Sequence, residues 1–166
     1  MTSGDAVDSI RRMTLADIDS VVMIDRDSFS MPWSAQFYRS ELNDNPAAYL
    51  YVIESGEKER EVVGYLGFWF IVDEAHISTF AVHPQFRKRG FGRALLIGAL
   101  GHAAALGAEV VSLEVRASNH TAAAIYESLG FRVTGRKQGY YQDNGEDALF
   151  MRLDDLQPWR TSIREV

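Results

Sequence analysis

The segment that most constrains this chain lies between His76 and Leu106. A strand-like run, His76 to Val82, leads to a short basic turn, Arg87-Lys88-Arg89-Gly90-Phe91-Gly92-Arg93. The turn opens directly into a helix whose apolar face is Leu95, Leu96, Ala99, Leu100, Ala103 and Leu106. A strand that feeds a helix through glycines gathers bare backbone N–H groups, the positive end of a helix dipole and the cations of Arg87, Lys88, Arg89 and Arg93. Like charges this dense repel one another, and a bound polyanion would offset that cost in a chain whose net charge is −6. The turn is neither of two common phosphate motifs. Leu95 holds the third glycine position of a dinucleotide fingerprint, and no Gly-Lys-Ser/Thr follows as in a nucleotide loop. A plain helix entry with a solvated basic patch also accounts for these residues.

Composition closes several other routes. At 166 residues the chain is one domain long, enough for a full core. The acidic balance argues against broad nucleic-acid binding. With no cysteine there is no disulfide, thiolate metal site or cysteine nucleophile, which fits a cytoplasmic protein. No apolar run approaches the ~18 residues of a membrane span. Met1 to Ser9 is small and acidic, unlike a signal peptide. His76, His83, His102 and His120 lack ligand spacing, so no metal is expected.

The remaining elements read in order. Residues 1–8 are expected to be disordered and 155–166 to form a weakly ordered tail, with one domain over 9–154. Ile10 to Met13 reads as a short strand, and Thr14 caps a helix reaching about Ser28. Met31-Pro32-Trp33-Ser34 breaks that helix, and Ser34 caps a second one to about Leu42. Ala48–Glu54, Glu61–Val72, Ala75–Val82 and Val110–Arg116 read as strands, and Asn119–Leu129 as a helix ended by Gly130. Phe131–Tyr140 and Asp147–Leu153 form a hairpin around Asn144-Gly145. The result is a single-domain α/β (α+β) fold with about seven strands and four helices.

Several segments together resemble the GCN5-related N-acetyltransferase (GNAT) superfamily, in particular its RimI-like branch of ribosomal-protein-alanine N-acetyltransferases. They are the Arg-x-x-Gly-x-Gly turn, Asp73-Glu-Ala, Phe80-Ala-Val, Leu113-Glu-Val-Arg-Ala-Ser-Asn119, Tyr126-Glu-Ser-Leu-Gly-Phe131, Gly139-Tyr-Tyr and Met31-Pro-Trp-Ser34. The resemblance covers roughly residues 9–154. It implies a mixed, mostly antiparallel sheet splayed in the middle, with acetyl-CoA in the gap. It also implies acetyl transfer to a protein N-terminal amine, first of all the alanine of a small-subunit ribosomal protein.

The same resemblance distributes roles. Arg87, Lys88, Arg89, Gly90, Phe91, Gly92 and Arg93 would take the pyrophosphate. The backbone of Phe80, Ala81 and Val82 would pair with the pantetheine arm and supply a donor to the thioester oxygen. Glu114 would be the general base, because an ammonium must lose a proton before it attacks. By alternation alone, Ser112, Glu114 and Arg116 are simply the polar face of a strand, with His76 as a rival base. Tyr126 would protonate the departing thiolate, although its helix position equally suits a core aromatic. Asn119 would contact pantetheine or cap its helix, or do both. Trp33 would help to shape the peptide pocket, while Tyr140 and Tyr141 could be packed edge residues or aromatics that clamp the acceptor backbone. Trp33 stapling onto Tyr38 is a sufficient structural role for Met-Pro-Trp-Ser. Asp143, Glu146 and Asp147 could draw a basic peptide or merely be solvated. The other readings are acetylation of lysines or small amines, and a silent acyl-CoA-binding module.

Overall fold

The structure, a computed structural model, describes residues 9–56 and 58–160. The expectation for residues 1–8 therefore lies outside the described residues, as does the last part of the tail. The strands are β1 Ser9–Arg12, β2 Ala48–Ser55, β3 Glu61–Ile71, β4 Glu74–Val82, β5 Val110–Arg116, β6 Arg132–Lys137 and β7 Ala148–Leu153. The helices are α1 Ile18–Ser28, α2 Ala35–Asp44, α3 Phe91–Leu106, α4 His120–Ser128 and the one-turn α5 Gln157–Arg160. The strands form one mixed sheet in the order β1-β2-β3-β4-β5-β7-β6. The described residues divide into two compact units, the first running up to Phe68 and including Thr79–Ala99, the second comprising Trp69–Ser78 and the residues from Leu100 on.

In the first unit β1 lies antiparallel to β2, with Arg12 opposite Tyr51. β3 is buried without interruption from Val63 to Phe68, so its sequence is apolar on both faces rather than alternating. α1 buries Ile18, Val21, Val22 and Ile24 against Tyr38, Val52 and Tyr65. One stripe position of that helix is polar: Asp25 follows Ile18 by seven residues and is buried too. α2 begins where Ser34 Oγ accepts the Phe37 N–H at 3.1 Å. Gly98 of α3 faces Ile10, whose Cδ1 would lie 3.0 Å from any added Cβ. The small residue is what lets the helix approach that strand.

In the second unit the parallel β4–β5 ladder spans Glu74–His76 against Val110–Ser112, and both strands outrun it. β5 then runs antiparallel to β7 from Val111 opposite Leu153 to Arg116 opposite Ala148. Its alternation is strict, with Val111, Leu113 and Val115 buried and the residues between them half-buried. β6 pairs with β7 around a bulge at Val133/Gly135. It stops at Lys137, three residues before the strand end read from sequence. Gly139 has φ 63°, and its N–H goes to Asp147 Oδ1 at 3.0 Å instead of to a strand. The tail adds α5, entered as Asp155 Oδ1 accepts the Gln157 N–H at 3.0 Å. Among the described residues no helix is long and apolar enough to cross a membrane.

Candidate active site

The basic turn lies wholly in the first unit. After β4, the His83 ring accepts the Gln85 N–H at 3.1 Å and starts a single 3-10 turn, Pro84–Phe86. Lys88 (φ 64°) and Gly90 (φ 90°) both adopt the left-handed conformation. Nothing lies within 4 Å of a Cβ built at Gly90, so glycine is needed there for its backbone and not for space. Gly90 O accepts the Ala94 N–H at 3.0 Å, which leaves the N–H groups of Phe91, Gly92 and Arg93 outside the internal ladder of α3. At Gly92 an added Cβ would sit 3.3 Å from Phe80 Cζ and 3.5 Å from Val82 Cγ2. Phe91 and Ala81 are buried.

The cations of the turn differ in how they are engaged. Arg87 donates from Nε to Val82 O at 3.0 Å and from Nη2 to Ser28 Oγ at 3.1 Å. Arg89 lies over the Phe86 ring, 5.2 Å from its centroid. Among the described residues no carboxylate is within ion-pair distance of Lys88 or Arg89. This is an electropositive turn with N–H donors at its centre, suited to phosphate.

The loop bearing Trp33 belongs to the same unit. Trp33 packs on Phe37 at 3.9 Å between ring centroids and on Tyr38 at 6.0 Å. Asp25 holds the loop from beneath. Its Oδ2 accepts the Trp33 N–H at 2.7 Å, and its Oδ1 accepts the hydroxyls of Tyr38 and Tyr65. Its sequence signal was a carboxylate on the apolar stripe of α1, a position that only buried donors can make tolerable.

The second unit carries the titratable groups. Glu114 Oε2 lies 2.9 Å from His76 Nε2, and His76 Nδ1 lies 2.8 Å from Ser112 Oγ. The Glu114 bond, opposed by burial, raises the His76 pKa above the ordinary imidazole value. Arg116, the other polar residue of that face, does not pair with Glu114. It turns to Asp143 at 2.8 Å and Glu146 at 3.4 Å, and its guanidinium carbon lies 4.0 Å from the Tyr141 ring centroid. Glu146 also accepts the Ser118 N–H at 2.7 Å, and Asp147 pairs with Arg136. The acidic residues of the hairpin are therefore clamps engaged by internal partners.

Those clamps brace the two tyrosines. Tyr140 and Tyr141 meet edge-on at 5.1 Å, and Tyr140 meets Phe150 at 5.9 Å. Burial raises both phenol pKa values, Tyr141 to about 12, and the Glu114 carboxylate pushes them the same way. Tyr126 is buried, tilted against Phe131 at 5.7 Å, and burial pushes its phenol well above the usual range. Asn119 Oδ1 accepts the Ala122 N–H at 3.1 Å, the cap expected for α4.

The second unit thus joins Glu114 to His76 and Ser112, an association that alternation on separate strands does not announce. Parallel pairing of His76 with Ser112 creates it.

Comparison with known proteins follows the same lines. The profile described as the acetyltransferase (GNAT) family matches residues 18–131. A protein of Bacillus subtilis, provisionally named ribosomal protein bS18-alanine N-acetyltransferase, is 40% identical over 143 residues, 86% of this chain and 93% of that one. The Escherichia coli protein named ribosomal protein bS18-alanine N-acetyltransferase is 30% identical over 149 residues, 89% of this chain and 97% of that one. A crystal structure described as the Escherichia coli ribosomal-protein-S18-alanine N-acetyltransferase superposes with a TM-score of 0.79 at 29% identity, covering 89% of this chain and 93% of that one.

Proposed function

We propose that this chain, which belongs to the GNAT acetyltransferase family, moves the acetyl group of acetyl-CoA onto a protein N-terminal amine, the alanine of a small-subunit ribosomal protein being the first candidate. The observation that carries this reading is Glu114. Its carboxylate is half-buried on the polar face of β5, held at one oxygen, with its field felt by Tyr140 and Tyr141.

An N-terminal amine with a pKa of about 8 is largely ammonium at neutral pH. Glu114 takes one proton from it, and the freed nitrogen attacks the thioester carbonyl. The N–C bond forms, negative charge grows on the carbonyl oxygen, and a backbone N–H in Phe80–Val82 offsets that charge. The C–S bond then breaks, the thiolate takes a proton from Tyr126, and the nitrogen gives up its second proton, which returns through water to the phenolate. Burial keeps that phenol protonated and penalises its phenolate, so donation requires the thiolate to form in direct contact with the hydroxyl. Arg87, Lys88, Arg89 and Arg93 hold the phosphates together with the N–H groups of Phe91 and Gly92, and Asn119 contacts the pantetheine beside its capping bond. Trp33 in the first unit, and Tyr140 and Tyr141 in the second, are each candidates to contact the acceptor peptide. Transfer is direct, with no acyl-enzyme. Residues 9–154 are the catalytic domain. The acceptor class puts the enzyme in the cytoplasm.

The test is mass spectrometry of peptides with different N-termini after incubation with acetyl-CoA. Acetylation of the α-amine of an alanine-starting peptide supports the reading. Transfer confined to lysines or polyamines overturns the acceptor, and tight acetyl-CoA binding without CoA release overturns catalysis.

A further inference from the structure

We infer that His76 is a positioning residue of the transfer reaction: with Ser112 it pins Oε2 of Glu114 and leaves Oε1 as the oxygen that meets the amine. The inference rests on Glu114 being the base.

A carboxylate can only accept, so the 2.9 Å contact requires the proton to sit on His76 Nε2. In the neutral ring Nδ1 is then the acceptor, and the Ser112 hydroxyl, 2.8 Å away, is its donor. The chain Ser112–His76–Glu114 has one consistent proton order, which fixes the ring tautomer and the plane of the carboxylate. Trp69 stacks on the imidazole at 6.3 Å and 23°, which restrains the ring from a second side. The ring borders a cleft of about 400 Å³ lined by Glu74, Ser112, Thr134, Phe150 and Arg152. Water therefore reaches the imidazole, and it titrates.

Protonation changes what Glu114 can do. An imidazolium at Oε2 stabilises the ionised carboxylate and makes it a poorer proton acceptor. Neutral imidazole still orients the carboxylate but no longer competes for its charge. Glu74, on the same strand, and Glu114 both favour the imidazolium. Arg152 faces the cleft from β7, but Asp154 holds it in an ion pair. Turnover of the bound complex then rises as pH passes the elevated His76 pKa.

The experiment measures kcat against pH for wild type, His76→Gln, His76→Ala, Ser112→Ala and Glu114→Gln at saturating peptide and acetyl-CoA. Glutamine keeps an N–H for Glu114 but has no charge to lose. The expected result is an acidic limb in wild type that disappears or moves down in His76→Gln, with kcat at the plateau changed severalfold at most. His76→Ala should lose kcat roughly tenfold, the scale of one orienting hydrogen bond, and Ser112→Ala less. KM for acetyl-CoA should stay within about twofold throughout, which also shows that the variants are folded. A wild-type limb and kcat in both His76 variants overturn the inference, while an inactive Glu114→Gln still upholds the base. If Glu114→Gln keeps its turnover, the base reading itself fails. If His76→Ala is inactive while Glu114→Gln works, His76 is the base and the positioning role is overturned. An acetyl adduct on Ser112 would overturn it as well.

Discussion

The basic turn and the polar face of β5 are both rich in charge, but they handle it in opposite ways. On the second unit Arg116 meets Asp143 and Glu146, Arg136 meets Asp147, and His76 meets Glu114 itself. On the turn, Arg87 donates to the neutral oxygens of Val82 and Ser28, and among the described residues no carboxylate is within ion-pair distance of Lys88 or Arg89. Uncompensated charge beside backbone N–H groups marks an address for an incoming polyanion. Charge locked into internal pairs fixes geometry, which a proton-transfer step needs. Binding and chemistry can thus be told apart by whether the charges have partners within the protein.

Mutations should separate the two regions. Glu114→Gln is expected to cut turnover ~10²-fold or more with little change in acetyl-CoA affinity, read from initial rates and titration calorimetry. Near-normal turnover would break the division. Arg89→Glu should do the reverse, weakening acetyl-CoA binding roughly tenfold or more while kcat at saturation is largely kept. Unchanged affinity would remove the turn from cofactor binding.

A buried group outside both regions gives a control. Asp25→Ala leaves the Trp33 N–H and two tyrosine hydroxyls without their acceptor. It should lower stability by roughly 3 kcal/mol in a denaturant melt, more than Lys88→Ala at an exposed site.

The smallest effect is a pH dependence. The folded-state pKa of His76 is raised, so its pairing contributes stability fully below the unfolded imidazole value of 6.5 and loses it as pH rises through the folded value. The melting-temperature gap between wild type and His76→Gln should therefore shrink as pH rises above 6.5. A gap that widens with pH would mean that the imidazole is stabilised in its neutral form.

Much of this was present in the linear pattern because the relevant physics is local. The alternation in β5 follows from a two-residue period, and Ser34 and Asn119 cap because short polar side chains reach N–H groups three residues on. The helix entry at Gly90 follows from a backbone conformation open to glycine. Tertiary structure decided what local rules cannot reach. Arg116 shares a face with Glu114 yet pairs across 27 residues with Asp143, because the hairpin delivers a carboxylate there. β6 ends early because Asp147 captures the Gly139 N–H. His76 reaches Ser112 and Glu114 only through the parallel register of β4 on β5, a contact between residues 36 positions apart. Sequence by itself determined most of the elements, the caps of α2 and α4 and the basic turn. Only folding determined which of the charges would find one another, because charge pairing acts through space while capping and periodicity act along the chain.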